Sequence, residues 1–378
     1  MADQQQQNPA VTASPEPERA TTSTAPAAAT PTTAPIPTPA PQDELVPGDD
    51  PEDDDNADAD SSLGDDAASS TASVTASILE YRTIQGRTFH SDRHSTEYFT
   101  PNDEQQMQSV DITHHYLTVL LDHSLFLAPI KPDVQKVIDV GTGSGIWAID
   151  FADQFPTAEV FGSDLSPCQP EWVPPNVRFE VDDATLTWTW KDNYFDFIHI
   201  RYLFGAIKDW NALFREAYRC TAPGGWVQSC ETDVRFYSDD NTTDLEPVLE
   251  TWKKLYEDGG KAMGREFFVH DEERQETGIR EAGFEDVTIV NYKLPVGGWA
   301  KDPKLAEVGN FVKLTMENDL EGYTLLLWHN VLNWPKDGYQ IFLMGMRKAL
   351  RNRRVHAYMK VRYVYGRKAE SPKALASA

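Results

Sequence analysis

Apolar positions in this chain repeat with two different periods, and the change between them marks where a sheet begins. From Ile78 to Ile130 the pattern is helical with polar interruptions, and Tyr116, Leu117, Leu120, Leu121 and Leu125 fall on one face. From Lys136 onward, short β-branched and aromatic runs alternate with helical patterns. Lys136–Val140, Glu159–Ser163, Val177–Val181, Phe195–Ile200 and Trp226–Cys230 are predicted strands. Ile146–Phe155 is a predicted helix stopped by Pro156. Asp209 caps a helix whose Trp210, Leu213, Phe214, Ala217 and Tyr218 share a face, and Pro223-Gly224-Gly225 turns the chain into the fifth strand. Residues 239–282 are expected to be helical. Val287–Lys293 and Val355–Tyr365 read as late strands. Between these, about 300–350 is a second helical stretch expected over the C-terminal edge of the sheet. Strands alternating with helices through short turns predict an α/β fold, a mostly parallel sheet with helices on both faces.

Composition removes one segment from this scheme. Residues 1–78 hold eleven prolines, no aromatic residue, and fifteen Asp or Glu against one Arg. Such a stretch cannot bury enough apolar surface to offset chain entropy, so a disordered, solubilising tail is expected. The domain reading is therefore a tail over 1–78 and one folded domain over 79–378. Within that domain, 79–133 is a helical cap, 134–235 the core around the glycine loop, and 236–378 helical insertions with the last strands. The formal net charge of −26 argues against general binding of nucleic-acid phosphates. No apolar stretch reaches the roughly 18–20 residues that span a bilayer, and no signal peptide is recognisable, so a soluble intracellular protein of cytoplasm or nucleus is expected. Cys168, Cys220 and Cys230 are too scattered for a disulfide framework or a zinc site.

The chemistry concentrates after the first predicted strand, in Asp139-Val140-Gly141-Thr142-Gly143-Ser144-Gly145-Ile146. Glycines at alternate positions between a strand and a helix bring bare backbone against a nucleotide-like ligand. The dinucleotide fingerprint needs its third glycine one residue later, where Ile146 stands. Asp139 would repel two phosphates and attract a sulfonium or an amino group. Both features favour a cofactor without a pyrophosphate. Asp164, ending the second strand, suits two ribose hydroxyls, although it could simply cap the turn that follows. Asp182 and Asp183 end the third strand; Asp183 is preferred for an adenine amino group because Ala184 leaves room for a flat ring. Trp188 and Trp190 read as packing.

With these residues in view, the chain resembles class I S-adenosylmethionine-dependent methyltransferases, and within them the fungal group similar to the LaeA secondary-metabolism regulator. The resemblance runs from about Tyr81 to Lys368. It rests on Tyr98-Phe99-Thr100-Pro101-Asn102-Asp103-Glu104, on Gly141 to Ala152, on Asp164-Leu165-Ser166-Pro167, and on Gln169 to Asn176. Phe195 to Arg201, Pro223-Gly224-Gly225-Trp226 and Tyr365-Gly366-Arg367-Lys368 complete it. It implies a Rossmann-like, seven-stranded, mostly parallel sheet with a final antiparallel insertion. It implies that Asp139, Gly141, Thr142, Gly143 and Gly145 hold the methionine part of S-adenosylmethionine, Asp164 the ribose and Asp183 the adenine. Two positions depart from the family pattern on the expected substrate side: Ser109, where relatives often carry Arg, and Gln228, where they often carry Glu. The expected activity is methyl transfer to a small-molecule secondary metabolite. The alternative is a regulator of the same fold acting through a velvet-type protein partner.

Methyl transfer from a sulfonium needs alignment and exclusion of water more than a metal or a covalent nucleophile. His199 as a base and Arg201 as a group orienting an acidic acceptor are the catalytic candidates, because both end the fourth strand. Packing competes as an explanation for His199. Glu231 is a further acceptor-side carboxylate, and His114, His115 and His270 are weaker candidates. The basic run from Arg347 to Arg354 could be a nuclear signal, but a helix end that complements the dipole is favoured.

Overall fold

The computed structural model describes residues 45–48, 81–91 and 98–370. The predicted tail lies outside these residues except for its short piece at 45–48. There, Pro47 bridges to Ala300, the Gly48 amide donates to the Trp299 carbonyl at 2.8 Å and the Lys301 amide to the Val46 carbonyl at 2.7 Å.

The region expected to be helical with polar interruptions instead opens with a hairpin of β1 (Arg82–Ile84) and β2 (Arg87–Phe89). Its turn is Gln85-Gly86, with φ of +49° and +85°. Two left-handed residues match the twist of a two-residue hairpin, and Gln before Gly is a weaker written signal for it than Asn or Asp. A helix follows, α1 (Glu104–Leu120), capped by Asp103, whose side chain accepts from the Gln106 amide. Tyr116, Leu117 and Leu120 are buried on it as the spacing predicts.

The sheet then assembles from β3 (Lys136–Val140), β4 (Glu159–Asp164), β5 (Val177–Val181), β6 (Phe195–Arg201), β7 (Thr221–Tyr237), β8 (Glu285–Pro295) and β9 (Tyr358–Arg367). Its order is β5-β4-β3-β6-β7-β9-β8, and β9 alone runs antiparallel to its neighbours. The chain winds outward from β3 to β5, then crosses back to place β6 on the other side of β3. Ligands bind outside the carboxyl ends of the strands at such a reversal. On one face α2 (Ile146–Gln154) buries Trp147 and Phe151 with Val137, Val160 and Phe197. The larger core on the other face includes α3 (Trp210–Cys220), whose Trp210, Leu213, Phe214 and Ala217 are buried as expected.

Pro223-Gly224-Gly225 does not precede the fifth strand but lies inside it, with Gly224 at φ +79° and a register shift opposite Phe195 and Phe197. The helical stretch expected over 239–282 is two helices, α4 (Val248–Met263) and α5 (Arg274–Ala282), because Gly264 ends the first in a left-handed conformation. The second helical stretch is α6 (Pro303–Asn318), α7 (Leu320–Leu325) running into a π-helical turn at Leu326–Val331, and α8 (Lys336–Arg351). Arg347 and Arg351 of the basic run pair with Glu321 and Glu317, which agrees with a structural role. Among the described residues, no helix is long and apolar enough to cross a membrane.

Arg87 joins the N-terminal hairpin to both helical layers. Its Nη2 donates to Asp103 at 2.7 Å and its Nη1 to Asp319 at 2.6 Å, so one guanidinium ties β2 to the caps of α1 and α7. Asp319 has no exposed side-chain surface, so removing the cation strands a buried carboxylate. Arg87→Met is therefore expected to cost about 3 kcal/mol in urea unfolding, most of it recovered in the Arg87→Met/Asp319→Asn double variant.

Candidate active site

The β3–α2 turn is built around three left-handed glycines, Gly141, Gly143 and Gly145, with φ of +71°, +57° and +83°. Each is glycine for its own reason. A Cβ on Gly141 would lie 2.4 Å from Leu203 Cδ2, and one on Gly145 would lie 2.4 Å from Phe179 Cζ. These two let neighbouring elements close in. A Cβ on Gly143 would meet nothing closer than Val110 at 3.4 Å. At Gly143 bare backbone therefore faces the cavity, which is the space a ligand would take. Gly145 is also the N-cap of α2 and packs against β5, so the third glycine serves strand packing and not a pyrophosphate.

Four strand ends converge on one cavity, which holds about 1210 Å³ of atom-free space including its mouth. That is generous for one small ligand, whose pockets run roughly 300–1,000 Å³. Asp139 with Gly141–Gly143 comes from β3, Asp164 from β4, Asp182 and Asp183 from β5 and Arg201 from β6; all line it. Gly145 and His199 do not.

Asp139 is 3% exposed. Its Oδ1 accepts from His199 Nδ1 at 2.7 Å and its Oδ2 from Thr142 Oγ at 2.7 Å. Burial pushes its carboxyl up, but His199, Arg201 and Thr142 outweigh burial and hold it below the usual carboxylate range. His199 is sealed behind it, 1% exposed and stacked on Trp147 at 3.8 Å between ring centroids, 5° from parallel. Burial, opposed by Asp139 and reinforced by Arg201 and His114, keeps His199 below its ordinary value. Thus the two candidates on β6 part company: His199 stands behind the wall and Arg201 on it.

Asp164 is held by backbone. Its Oδ2 accepts from the Gly143 amide at 2.8 Å and its Oδ1 from the Ser166 amide at 3.1 Å. This joins the Asp164 carboxylate to the glycine turn. Asp183 is 4% exposed, and its Oδ1 accepts from the amide and hydroxyl of Thr185, while Asp182 Oδ1 accepts from the Asp183 amide. Trp188 is packed, its Nε1 on the Ala184 carbonyl, and Trp190 stacks with Tyr194.

The remaining candidates sort by contact. Glu231 is fully buried, off the cavity surface, and its two oxygens accept from the Leu203 and Phe204 amides at 3.1 and 2.9 Å. Burial outweighs these bonds and lifts its carboxyl to about 8. It shapes the turn after β6, where Tyr202 sits at φ +57°. His270 Nε2 donates to the Glu231 carbonyl at 2.9 Å, and His115 lies edge-on to Phe311. Ser109 and Gln228, expected near the substrate, are both fully buried away from the cavity: Ser109 meets Asn318, and Gln228 accepts from the Leu127 and Ala128 amides.

Sequence reasoning placed the carboxylates and expected a helical cover over the C-terminal edge, but named no residue for its wall. His90, Tyr98 and Pro101 from the N-terminal segment, Met107 and Val110 from α1, and Tyr323 from α7 complete the cavity wall. The run from Tyr98 to Glu104 carried a family signal without a role. Nothing in the spacing around Tyr323 marked it.

The comparisons with known proteins show the family of the chain. A family model described as a methyltransferase domain matches residues 112–288. Methyltransferase pytC of Aspergillus terreus is 36% identical over 77% of this chain and 89% of its own length. The chain belongs to the LaeA-like group of class I methyltransferases. A secondary metabolism regulator of Cochliobolus heterostrophus is 33% identical over 72% of this chain and 90% of its own. The protein-methionine methyltransferase laeA of Emericella nidulans is 29% identical over 74% of each. Among solved structures, a phosphoethanolamine N-methyltransferase 2 of Haemonchus contortus with S-adenosylmethionine aligns over 70% of this chain and 52% of that one, at 19% identity and a TM-score of 0.38. By its relatives this LaeA-like protein is a methyltransferase.

Burial pushes the Asp164 carboxyl up to about 6, against the amides of Gly143 and Ser166. If Asp164 holds the donor's ribose as expected, a proton on it removes an acceptor there. Affinity for S-adenosylmethionine should therefore be flat above about pH 7 and weaken as pH falls through 6, by at most tenfold per unit. Calorimetry from pH 8 to 5 checks this, and Asp164→Asn should be weak and pH-independent over that range.

Proposed function

We propose that the cavity binds S-adenosylmethionine through Asp139, the Gly141–Gly143 turn, Asp164 and the Asp182-Asp183 pair, and transfers its methyl group to an apolar small molecule. The observation that carries the donor half is the Gly143 backbone facing open space between two anchored carboxylates. Asp139 and Thr142 suit the cationic methionine end, Asp164 the ribose hydroxyls and Asp183 the adenine amino group. Gly145 contributes by letting β5 approach, without touching the ligand. His199 fixes the direction of the Asp139 carboxylate and is not the base: no acceptor can reach a ring sealed between Trp147 and Asp139.

The acceptor half draws on the aromatic wall, where Tyr98, Phe99, Tyr202, Phe204 and Tyr323 line the cavity. Such a wall aligns a flat or apolar molecule and excludes water. In the transfer, a bond forms between the acceptor atom and the methyl carbon as the carbon–sulfur bond breaks. The products are S-adenosylhomocysteine and the methylated acceptor, which sheds any proton it carried. Alignment supplies most of what such a displacement needs.

A second reading is favoured by the relative named as a secondary metabolism regulator at 33% identity. In it the protein works through a velvet-type partner, and its acceptor is a protein side chain. Incubating a lysate of the source cells with a methyl-labelled donor separates the two. Label in the organic extract supports the small-molecule reading, and label on protein, together with co-purification of such a partner, overturns it.

The donor assignment predicts that the purified protein binds S-adenosylmethionine and S-adenosylhomocysteine in calorimetry, and NAD not at all. Gly143→Asp should retain its circular dichroism spectrum and lose donor binding by at least 100-fold, because the left-handed turn is strained and the cradle filled. Undiminished binding by a folded Gly143→Asp protein would sink the site assignment.

A further inference from the structure

S-adenosylmethionine is an amino acid as well as a sulfonium, and its carboxylate must be accommodated in a cavity already lined by four aspartates. Among the described lining residues the basic side chains are His90 and Arg201. His90 Nδ1 is engaged with Ser166 Oγ at 2.7 Å. Arg201 forms no ion pair within 4 Å with any carboxylate of the described residues, although it is close enough to Asp139 to stabilise its charge. A guanidinium has five donors, and one of these is used: Nη1 lies 3.3 Å from His114 Nδ1.

That contact sets the tautomer of His114. Its Nδ1 must accept from the guanidinium, which carries only donors, so its Nε2 bears the proton and donates to Asp150 Oδ2 at 2.9 Å. Burial, opposed by the Asp150 hydrogen bond and reinforced by the Arg201 charge, keeps His114 below its ordinary value and hence neutral. His114 is on α1 and Asp150 on α2, so two helices outside the sheet aim one side chain at the end of β6.

Register fixes what it is aimed at. Asp139 pairs with His199 and Val140 with Ile200, so Arg201 stands level with Gly141, beside the glycine turn. His199 and Arg201 share a face of β6 and His199 bonds Asp139, so a negative and a positive group line the cavity beside the glycine turn.

Resting on the donor reading above, we infer that Arg201 binds the α-carboxylate of S-adenosylmethionine and that His114, held by Asp150, is the positioning residue that orients it. This replaces the expectation that Arg201 orients an acidic acceptor. A planar guanidinium with free adjacent donors suits a carboxylate bidentately, and Lys would not reproduce it.

The experiment compares two ligands by calorimetry on the full chain: S-adenosylmethionine and its decarboxylated analogue, which keeps the sulfonium, the amine and the adenosine. The wild-type protein should bind the carboxylate-bearing ligand at least tenfold more tightly. In Arg201→Met that preference should vanish, with the decarboxylated analogue bound as before. His114→Leu should lose most of the preference, whereas His114→Gln, whose amide can accept from Arg201 and donate to Asp150, should keep it. A merely structural His114 would weaken both ligands alike. Equal losses for both ligands in Arg201→Met, or a preference untouched by it, overturn the inference while leaving the donor site standing. Binding of neither ligand by wild-type protein overturns the donor reading and this inference together. Thermal unfolding of each variant confirms that it is folded.

Discussion

A carboxylate buried at the end of a central strand is the constraint around which this methyltransferase is arranged. Asp139 has almost no contact with solvent, and an unsatisfied charge there would cost several kcal/mol. Two partners satisfy it, and each ties down a different element. Thr142 Oγ closes the glycine turn on one oxygen, and His199 on the neighbouring strand takes the other. His199 in turn needs Trp147 of α2 flat against it. Sheet order, turn conformation and helix placement are thus coupled through one charge. What reaches the cavity is an aimed carboxylate rather than a mobile one.

The cavity wall divides by the origin of its parts. Strand ends supply charge, and the N-terminal segment, α1 and α7 supply apolar and aromatic cover. That division matches the chemistry. A donor that already carries a good leaving group needs electrostatic recognition of its two ends, and an acceptor needs alignment in a dry space. Arg87 holds the cover together by bonding across 232 residues to Asp319, so the insertion between the last two strands is fastened to the N-terminal hairpin. Glu231 does comparable work inside, gripping two amides of the turn that carries Tyr202 and Phe204.

How much of this was legible in the chain depended on sequence distance. The β3 strand, the glycine turn and the start of α2 are written in the run from Lys136 to Ile146, and the structure keeps their bounds almost unchanged. The carboxylates at the ends of β4 and β5 were legible because each closes a short strand run. The N-terminal hairpin was not, because Gln85-Gly86 is a poor written turn signal and the strands are three residues each. Nor was the break at Gly264, where a glycine cap interrupts an otherwise continuous helical pattern. Tyr323 could not be read at all, since its place on the wall comes from how α7 docks.

The sequence by itself determined a strand, a glycine turn and an acidic residue before it, which together favoured a ligand without a pyrophosphate. These follow from local backbone geometry and charge, which need no tertiary partner. Only the folded structure decided what the polar residues beyond the turn do. His199 and Arg201 lie two residues apart on one strand and were both catalytic candidates, one as a base and one as an orienting group, with packing competing for His199. His199 meets Asp139 and Trp147 and is sealed in. Arg201 passes the strand end, meets His114, and keeps its remaining donors for the cavity. Their difference lies in which neighbours α1, α2 and β3 bring to them, and a one-dimensional pattern cannot carry that.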